Sequence, residues 1–167
     1  MWINPDDPDG KLYIGDCAAG DRAATEGEVA AYELARARDT KLAEIEAAFD
    51  ARVLAGMPYG EKVLQIRDGD RATITAVFSR AMAYARQEIE PVPGVTITWP
   101  EGGFPFRMLD DTYLLLSPTT FIDMAQRAAD FYGALFYVSR AMKDAAIAAA
   151  SLEELAAIDI EAGWPEI

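Results

Sequence analysis

The helical pattern from Phe121 to Ala149 constrains the fold more than any other stretch of the sequence. Along it, apolar residues recur at steps of three or four, which is the spacing of one face of an α-helix. These residues are Phe121, Met124, Ala128, Phe131, Leu135, Val138, Met142 and Ala145. Ser117 or Thr120 can cap the start of this helix. The rest of the chain must cover its apolar face, so the pattern predicts a domain built around one long helix.

Two further long helices are predicted upstream, and a short one downstream. The first runs from about Glu26 to Ala55, beginning with a Thr25 and Glu28 capping box and ending at Gly56. The second runs from about Arg71 to Glu90, with Asp70 as its expected N-cap. Downstream, Ser151 to Glu154 predicts a second capping box and a short helix.

Between the second helix and the long one, the period of the pattern changes from 3.6 to two. Val95, Ile97 and Trp99 alternate with threonines, which predicts a half-buried strand. Two more strands are expected at 104–109 and 112–116, and 63–66 is a candidate for a fourth. We therefore expect an α+β fold, in which a small antiparallel β-meander packs against two or three long α-helices.

The N-terminus predicts a β-like arm. Short strand-like pieces at 2–4 and 12–14 flank the turn-rich stretch PDDPDG. An isolated hairpin is marginally stable in water, so the arm must pack on the domain or on another chain. We expect an arm at residues 1–20 and a single α+β domain at 21–167. The predicted partner-binding residues of the arm are Trp2, Ile3, Leu12, Tyr13 and Ile14.

The charge and composition of the chain narrow the classes of partner. The formal net charge is −13, whereas nucleic acids and anionic membranes require a basic surface. No run of eighteen apolar residues is present, so no membrane span is expected. The first ten residues lack the basic and apolar regions of a signal peptide, and Cys17 is the only cysteine. These features predict synthesis in the cytoplasm and a protein as the partner.

No catalytic constellation is visible in the sequence. The chain has no histidine, which excludes Ser/His/Asp and Cys/His catalysis. The acidic pair at 110–111 is explained by a turn, and the pair at 153–154 by a helix start. Cys17 follows Asp16, and a neighbouring carboxylate weakens a thiol nucleophile. We expect no catalytic residue, no cofactor and no nucleotide-binding loop.

A metal site is also not expected. Asp6, Asp7 and Asp9 precede Gly10, but Pro5 stands where the first ligand of a calcium loop should be. A proline-punctuated turn accounts for this stretch.

An aromatic cluster on the long helix is the second predicted partner-binding feature. Phe131 belongs to the main apolar stripe, Tyr132 and Phe136 lie four residues apart beside it, and Tyr137 points elsewhere. A wide apolar face of this kind is typical of a helix buried between two layers or of one shared with a second chain. We predict Tyr132 and Phe136 as partner-binding residues.

Several short motifs, in order, resemble a conserved domain of tailed bacteriophages and prophages. They are Gly56-Met57-Pro58-Tyr59-Gly60, Leu64-Gln65-Ile66-Arg67-Asp68, the strand-like 95–99, the helix end at 147–155, and Gly163-Trp164-Pro165. The resemblance runs from about Lys41 to Pro165 and leaves out the first forty residues. The domain often carries an aspartate in a W-x-t-x-D element, which is missing from the stretch beginning at Trp99.

The resemblance implies a role in the phage tail, because this domain is typically encoded beside tail-fibre genes. The expected function is a non-enzymatic tail protein that binds the tail fibre or baseplate, made in the bacterial host cytoplasm and retained in the virion tail if structural. One alternative is an assembly chaperone that assists fibre folding and trimerisation. A more distant one is a tail-associated polysaccharide or peptidoglycan hydrolase. A homo-oligomer stays open.

Overall fold

The computed structural model describes residues 1–4, 6, 11–89 and 93–166. Seven strands and four helices follow one another in this part of the chain. They are β1 (Trp2–Ile3), β2 (Leu12–Tyr13), β3 (Arg22–Ala23), α1 (Glu26–Ala55), β4 (Met57–Tyr59), β5 (Lys62–Leu64), α2 (Asp68–Ile89), β6 (Phe104–Arg107), β7 (Tyr113–Leu116), α3 (Pro118–Ala148) and α4 (Leu152–Ala156).

The contacts divide the chain into two compact units. The first contains residues 1–45 and 141–160, and the second contains residues 46–140 and 161–167. Each unit has its own hydrophobic cluster. Because α1 and α3 are long, each helix contributes residues to both units.

The predicted helices form, and most of the predicted capping residues make the expected hydrogen bonds at their ends. At α1, the Glu28 backbone N–H donates to Thr25 Oγ1 at 3.3 Å, while the Thr25 N–H donates to the Glu28 carboxylate at 2.8 Å. Gly56 ends α1 with a φ of +84°, and a Cβ there would lie 2.5 Å from the Leu64 carbonyl oxygen. The left-handed conformation and the close approach both require glycine at this position.

The caps of α3 and α4 also form as predicted. Ser117 rather than Thr120 caps α3, because its hydroxyl accepts the Thr120 backbone N–H at 3.2 Å. At α4, Ser151 accepts the Glu154 N–H at 3.1 Å.

The predicted cap of α2 is wrong. The helix begins at Asp68, two residues before Asp70. The Asp70 carboxylate instead accepts the backbone N–H of Arg67 at 3.2 Å. Sequence favoured Asp70 because it directly precedes the apolar pattern, whereas the helix begins three residues before the predicted first residue, Arg71.

The α3 stripe is the core of the second unit. Phe121, Met124 and Leu135 are fully buried there. Toward its C-terminus the stripe departs from prediction, because Ala145 is exposed and Ala146 is buried in the cluster of the first unit. Steps of three and four both keep a residue near the same face, so periodicity alone does not fix which of two adjacent alanines is buried.

Small antiparallel sheets accompany the helices, which confirms the α+β prediction. In the second unit β4 pairs with β5 and β6 pairs with β7. Of the candidate strand at 63–66, Val63 and Leu64 lie in β5 and pair with Pro58 and Met57, where no strand was predicted. One backbone bond, from Leu109 N–H to the Val63 carbonyl at 2.9 Å, links the two hairpins.

The first strand of the predicted meander does not form. Residues 95–100 form no helix or strand and pair with no other strand. The Ile97 N–H donates to the Gln87 side-chain oxygen at 2.6 Å, and the Arg80 guanidinium donates to the Thr98 carbonyl at 2.6 Å. Side chains of α2 therefore satisfy the backbone groups that a neighbouring strand would otherwise pair.

In the C-terminal segment, Trp164 packs against the cluster of the second unit, and the Arg52 guanidinium lies 4.4 Å from its ring centroid. In the first unit, Ile45, Ala146, Ala149 and Leu155 form the buried cluster.

Leu135→Asp tests the importance of the α3 stripe. Leu→Ala at a buried site costs about 2–5 kcal/mol, and an unpaired buried carboxylate adds a desolvation penalty. We expect the second unit of the variant to be unfolded, so that circular dichroism shows less helix than in wild type and thermal melting shows a weaker or lower transition. Tyr137→Asp is the matched control, because Tyr137 lies on the same helix and is 73% exposed. A melting curve for Leu135→Asp that overlays this control would contradict the helix phase described above.

Candidate functional site

The predicted arm forms a three-stranded antiparallel sheet in the first unit. β1 is its central strand, with β2 on one side and β3 on the other. Trp2 lies opposite Tyr13, and Ile3 lies opposite Leu12. The third strand, Arg22–Ala23, was not expected from sequence because it is short and polar. Four of the five predicted arm residues are thus brought together by β1 and β2, and Ile14 follows directly.

Side-chain hydrogen bonds fix the arm in place. The Trp2 indole N–H donates to the Gly15 carbonyl at 2.9 Å. The Tyr13 hydroxyl donates to the Asp21 carboxylate and accepts the Ala18 N–H at 3.0 Å. The hydrogen bond to Asp21 raises the pKa of Tyr13. These bonds join β1 and β2 to the loop before β3.

The predicted arm residues differ in how much of each side chain is exposed, and therefore in which of them a partner can contact. Ile3 is buried, and Trp2, Leu12 and Tyr13 are half-buried. Ile14 is 81% exposed. Ile14 is therefore the side chain most available to a partner, whereas Ile3 contributes to the arm's own packing.

An ion pair connects β3 to the start of α1. The Arg22 guanidinium donates two hydrogen bonds to the Glu28 carboxylate, at 2.6 and 2.8 Å. This guanidinium, together with the hydrogen bonds from Thr25, lowers the pKa of Glu28 from 4.5 to about 2. Glu28 therefore serves both the capping box and the attachment of the arm sheet.

The lowered pKa of Glu28 predicts a pH dependence of stability. Its folded-state pKa lies below its unfolded value, so the ionised carboxylate stabilises the fold above pH 4.5, and this contribution is lost as the pH falls from 4.5 to about 2. We expect wild type to exceed Glu28→Gln in stability at pH 7 and to match it near pH 2, in denaturant unfolding followed by circular dichroism.

Glu33→Gln is the matched control for this prediction, because Glu33 is an exposed glutamate on the same helix. Its difference from wild type should not change over the same pH range. A stability difference between wild type and Glu28→Gln that is equal at pH 7 and pH 2 would contradict the role given to the Arg22 pair.

The predicted aromatic residues of α3 have different surroundings in the second unit. Tyr132 is half-buried, with the Arg71 guanidinium 3.7 Å from its ring centroid and the Phe49 ring edge-on at 5.9 Å. Phe136 is 51% exposed. Its ring contacts that of Tyr137, with the centroids 6.0 Å apart. The exposed aromatic pair is thus Phe136 with Tyr137, a contact that the helical spacing of four did not predict.

A groove lies between α2 and α3 in the second unit and was not predicted from sequence. Its volume is about 380 Å³. The α2 side is formed by Ile74, Thr75 and Phe78, and the α3 side by Gln126 and the small residues Ala125, Ala128, Ala129 and Gly133. Arg71 and Tyr132 stand at one end. The lining is mainly apolar, which is typical of surfaces that bind apolar groups.

The backbone position of Gly133 is open toward this groove. Apart from its neighbours Tyr132 and Ala134 and the backbone of its own helix within four residues, no atom of the described chain lies within 4 Å of a Cβ added at Gly133. Glycine inside a helix is less favourable than alanine by about 1 kcal/mol. Nothing in the packing of the described residues therefore requires glycine at this position. A glycine inside an otherwise continuous helical pattern is the sequence signal that could have indicated the groove.

The acidic pairs considered as catalytic candidates have structural partners. Asp110 accepts the Thr112 backbone N–H at 3.1 Å and pairs with Lys62 at 3.1 Å. Asp111 pairs with Arg107 at 2.7 Å. Glu154 accepts the Ala150 N–H at 2.7 Å. These contacts match the turn and capping roles that the sequence predicted for them.

The structure adds two observations on metal and membrane sites. Over residues 1–4, 6, 11–89 and 93–166, no three His, Cys, Asp or Glu side chains come together as metal ligands do. The aspartate-rich stretch considered as a calcium loop lies mostly outside these residues. No helix in the same ranges has the length and apolar character needed to cross a bilayer.

Residues 36–162 match a sequence family described as a domain of unknown function, DUF4376. No curated protein and no solved structure matches the chain at a significant level.

Proposed function

Because the chain belongs to the DUF4376 family, whose description names no activity, we propose a function from its surfaces and from its resemblance to the phage domain. The protein is a non-enzymatic component of a bacteriophage tail that binds the tail fibre or baseplate. It is made in the cytoplasm of the bacterial host and is retained in the virion tail. The partner is a protein, and its identification as a tail protein comes from the resemblance.

The exposed aromatic pair on α3 is the observation that carries this proposal. Phe136 and Tyr137 are 51% and 73% exposed, and their rings contact each other. Aromatic side chains are enriched at the energetic centres of protein interfaces, where each can contribute 2 kcal/mol or more. Burial of such a pair against a partner would remove apolar surface from water.

The charge of the chain also supports a protein partner. A net charge of −13 opposes association with phosphate backbones and anionic lipids. Since the acidic pairs at 110–111 and 153–154 lie in a turn and at a helix start, neither of these pairs supports the distant hydrolase alternative.

The assembly-chaperone alternative is favoured by one observation, the groove between α2 and α3. An open apolar groove can hold a segment of an incompletely folded fibre, as peptide-binding grooves do in general. A chaperone that acts only during assembly is absent from the finished virion, whereas a structural component stays.

Mass spectrometry of purified virions distinguishes the structural role from the chaperone role. We expect the protein in virions at a fixed ratio to the tail fibre. Its absence from virions, combined with co-purification with the fibre from infected cells, would indicate the chaperone. Its absence from both would contradict the proposed function.

Deletion of residues 1–16 tests the contribution of the arm. The deletion removes β1 and β2, but neither hydrophobic cluster contains a residue from this stretch. We expect the truncated protein to keep its helical circular dichroism and to melt cooperatively, while its co-purification with the tail partner falls severalfold.

Ile14→Ser is the point variant to compare with this deletion, because it changes the most exposed apolar side chain of the arm without removing a strand. It should weaken co-purification in the same direction. An unfolded truncation would show that the arm is structural, and full binding by both variants would show that the arm does not bind the partner.

A further inference from the structure

We propose that the groove between α2 and α3 binds an amphipathic helix of another protein, with an apolar face flanked by lysine or arginine. This inference rests on the proposed function and names the chemistry of the partner at one surface. The argument uses the direction of the two helices, the open space at Gly133 and the charge around the groove.

The two helices run antiparallel along the groove. Arg71, near the start of α2, contacts Tyr132 in α3. Tyr84, near the end of α2, contacts Trp99, which in turn contacts Phe121 at the start of α3. A third helix can lie between two such helices by packing its side-chain ridges into the groove.

Exposed apolar side chains extend the groove at both ends. Met82 follows Phe78 by one turn of α2 and is 46% exposed. Phe136 follows Tyr132 by one turn of α3 and is 51% exposed. From residue 71 to residue 82 the surface is roughly 16 Å long at 1.5 Å per residue, which is the length of three helical turns. Apolar anchors spaced along three turns are what a groove that binds a helix presents.

Small residues on α3 permit a close approach. Ala125, Ala129 and Gly133 follow one another at steps of four, so they lie in one row along the helix. No atom of the described chain fills the space above Gly133. A helix that enters the groove can therefore approach the α3 backbone here more closely than over a larger side chain.

The charge around the groove selects the kind of partner. Arg71 is the charged residue that lines the groove, and its guanidinium already pairs with the Asp68 carboxylate at 2.6 Å. Asp130 is exposed one turn from both Gln126 and Gly133, beside the lining residues of α3, and forms no ion pair or hydrogen bond with the residues that the structure describes. A second copy of the chain would itself carry a net charge of −13, so the two copies would repel each other. Cationic residues beside an apolar face would instead complement Asp130 and the acidic chain.

A binding assay with designed peptides tests this inference. The probe is a labelled 18-residue helix with leucine on one face and lysine on the other, and its partner in the comparison carries glutamate in place of lysine. We expect the lysine peptide to bind and the glutamate peptide not to bind, by fluorescence anisotropy. Asp130→Asn should weaken binding of the lysine peptide severalfold.

Groove-filling variants separate the groove from general electrostatic attraction. Ala129→Leu should weaken binding of the lysine peptide by about tenfold, because the added side chain occupies the groove. Ala145→Leu is the matched control, an exposed alanine on the same helix but in the first unit, and should bind like wild type. Equal binding by all three proteins would overturn the inference.

Gly133→Ala supplies a second test that does not depend on a large substitution. We expect the melting temperature to rise by about 2–4 °C, because alanine favours the helix. The same variant should bind the lysine peptide more weakly than wild type. A gain in stability with unchanged affinity would contradict the proposed close approach at Gly133.

Two controls identify the source of a failure. If wild type sediments as a dimer and Ala129→Leu as a monomer, the occupant is a second copy and the inference is wrong. If the tail protein co-purifies equally with wild type and Ala129→Leu, the groove inference fails and the proposed function stands. If the lysine peptide binds in the groove but no tail protein co-purifies, the inference stands and the proposed function fails.

Discussion

The apolar stripe of α3 is the constraint on which both units depend. Phe121, Met124 and Leu135 are fully buried in the cluster of the second unit, and Ala146 is buried in the cluster of the first. Full burial of one large apolar side chain contributes about 1.5–3 kcal/mol. Since natural proteins are stable by only about 5–15 kcal/mol, a few of these residues account for as much free energy as separates folded from unfolded protein. A single continuous helix thus supplies the central residues of two hydrophobic clusters.

The elements that sequence predicted well are those whose signals are local. The starts of α1 and α4 were predicted because a capping box needs only residues three apart, as in Thr25 with Glu28. The stripe of α3 was predicted because a helix face repeats within one turn. In its last turns, sequence predicted Ala145 as the buried residue, whereas Ala146 is buried. Steps of three and of four residues both stay on the same helix face, so the pattern did not distinguish the two. The α+β class was predicted correctly because the strands expected at 104–109 and 112–116 do pair with each other.

The features that sequence missed depend on residues far apart in the chain. An alternating stretch such as 95–99 predicts an extended backbone, but its hydrogen-bond partners turned out to be Gln87 and Arg80 of a helix. The groove is likewise a property of two helices, about fifty residues apart, that the fold brings side by side. Its one local sign, Gly133, is a helix-disfavouring residue within a helical pattern. Sequence placed Tyr137 outside the aromatic cluster, because only residues three or four apart were considered neighbours on the helix. In the structure its ring contacts that of Phe136.

Gly133 and Phe136 are two energetically unfavourable features of the α3 surface in the free protein. In the free protein, glycine at 133 lowers helix stability by about 1 kcal/mol, and no described contact offsets this loss. Phe136 leaves half of its surface in water. Burial of this exposed half against a partner contributes about half of the 1.5–3 kcal/mol that full burial of a phenylalanine gives, which is comparable to the loss at Gly133. Binding of the proposed partner would offset both unfavourable features of the free α3 surface. This balance supports the recognition surface proposed above.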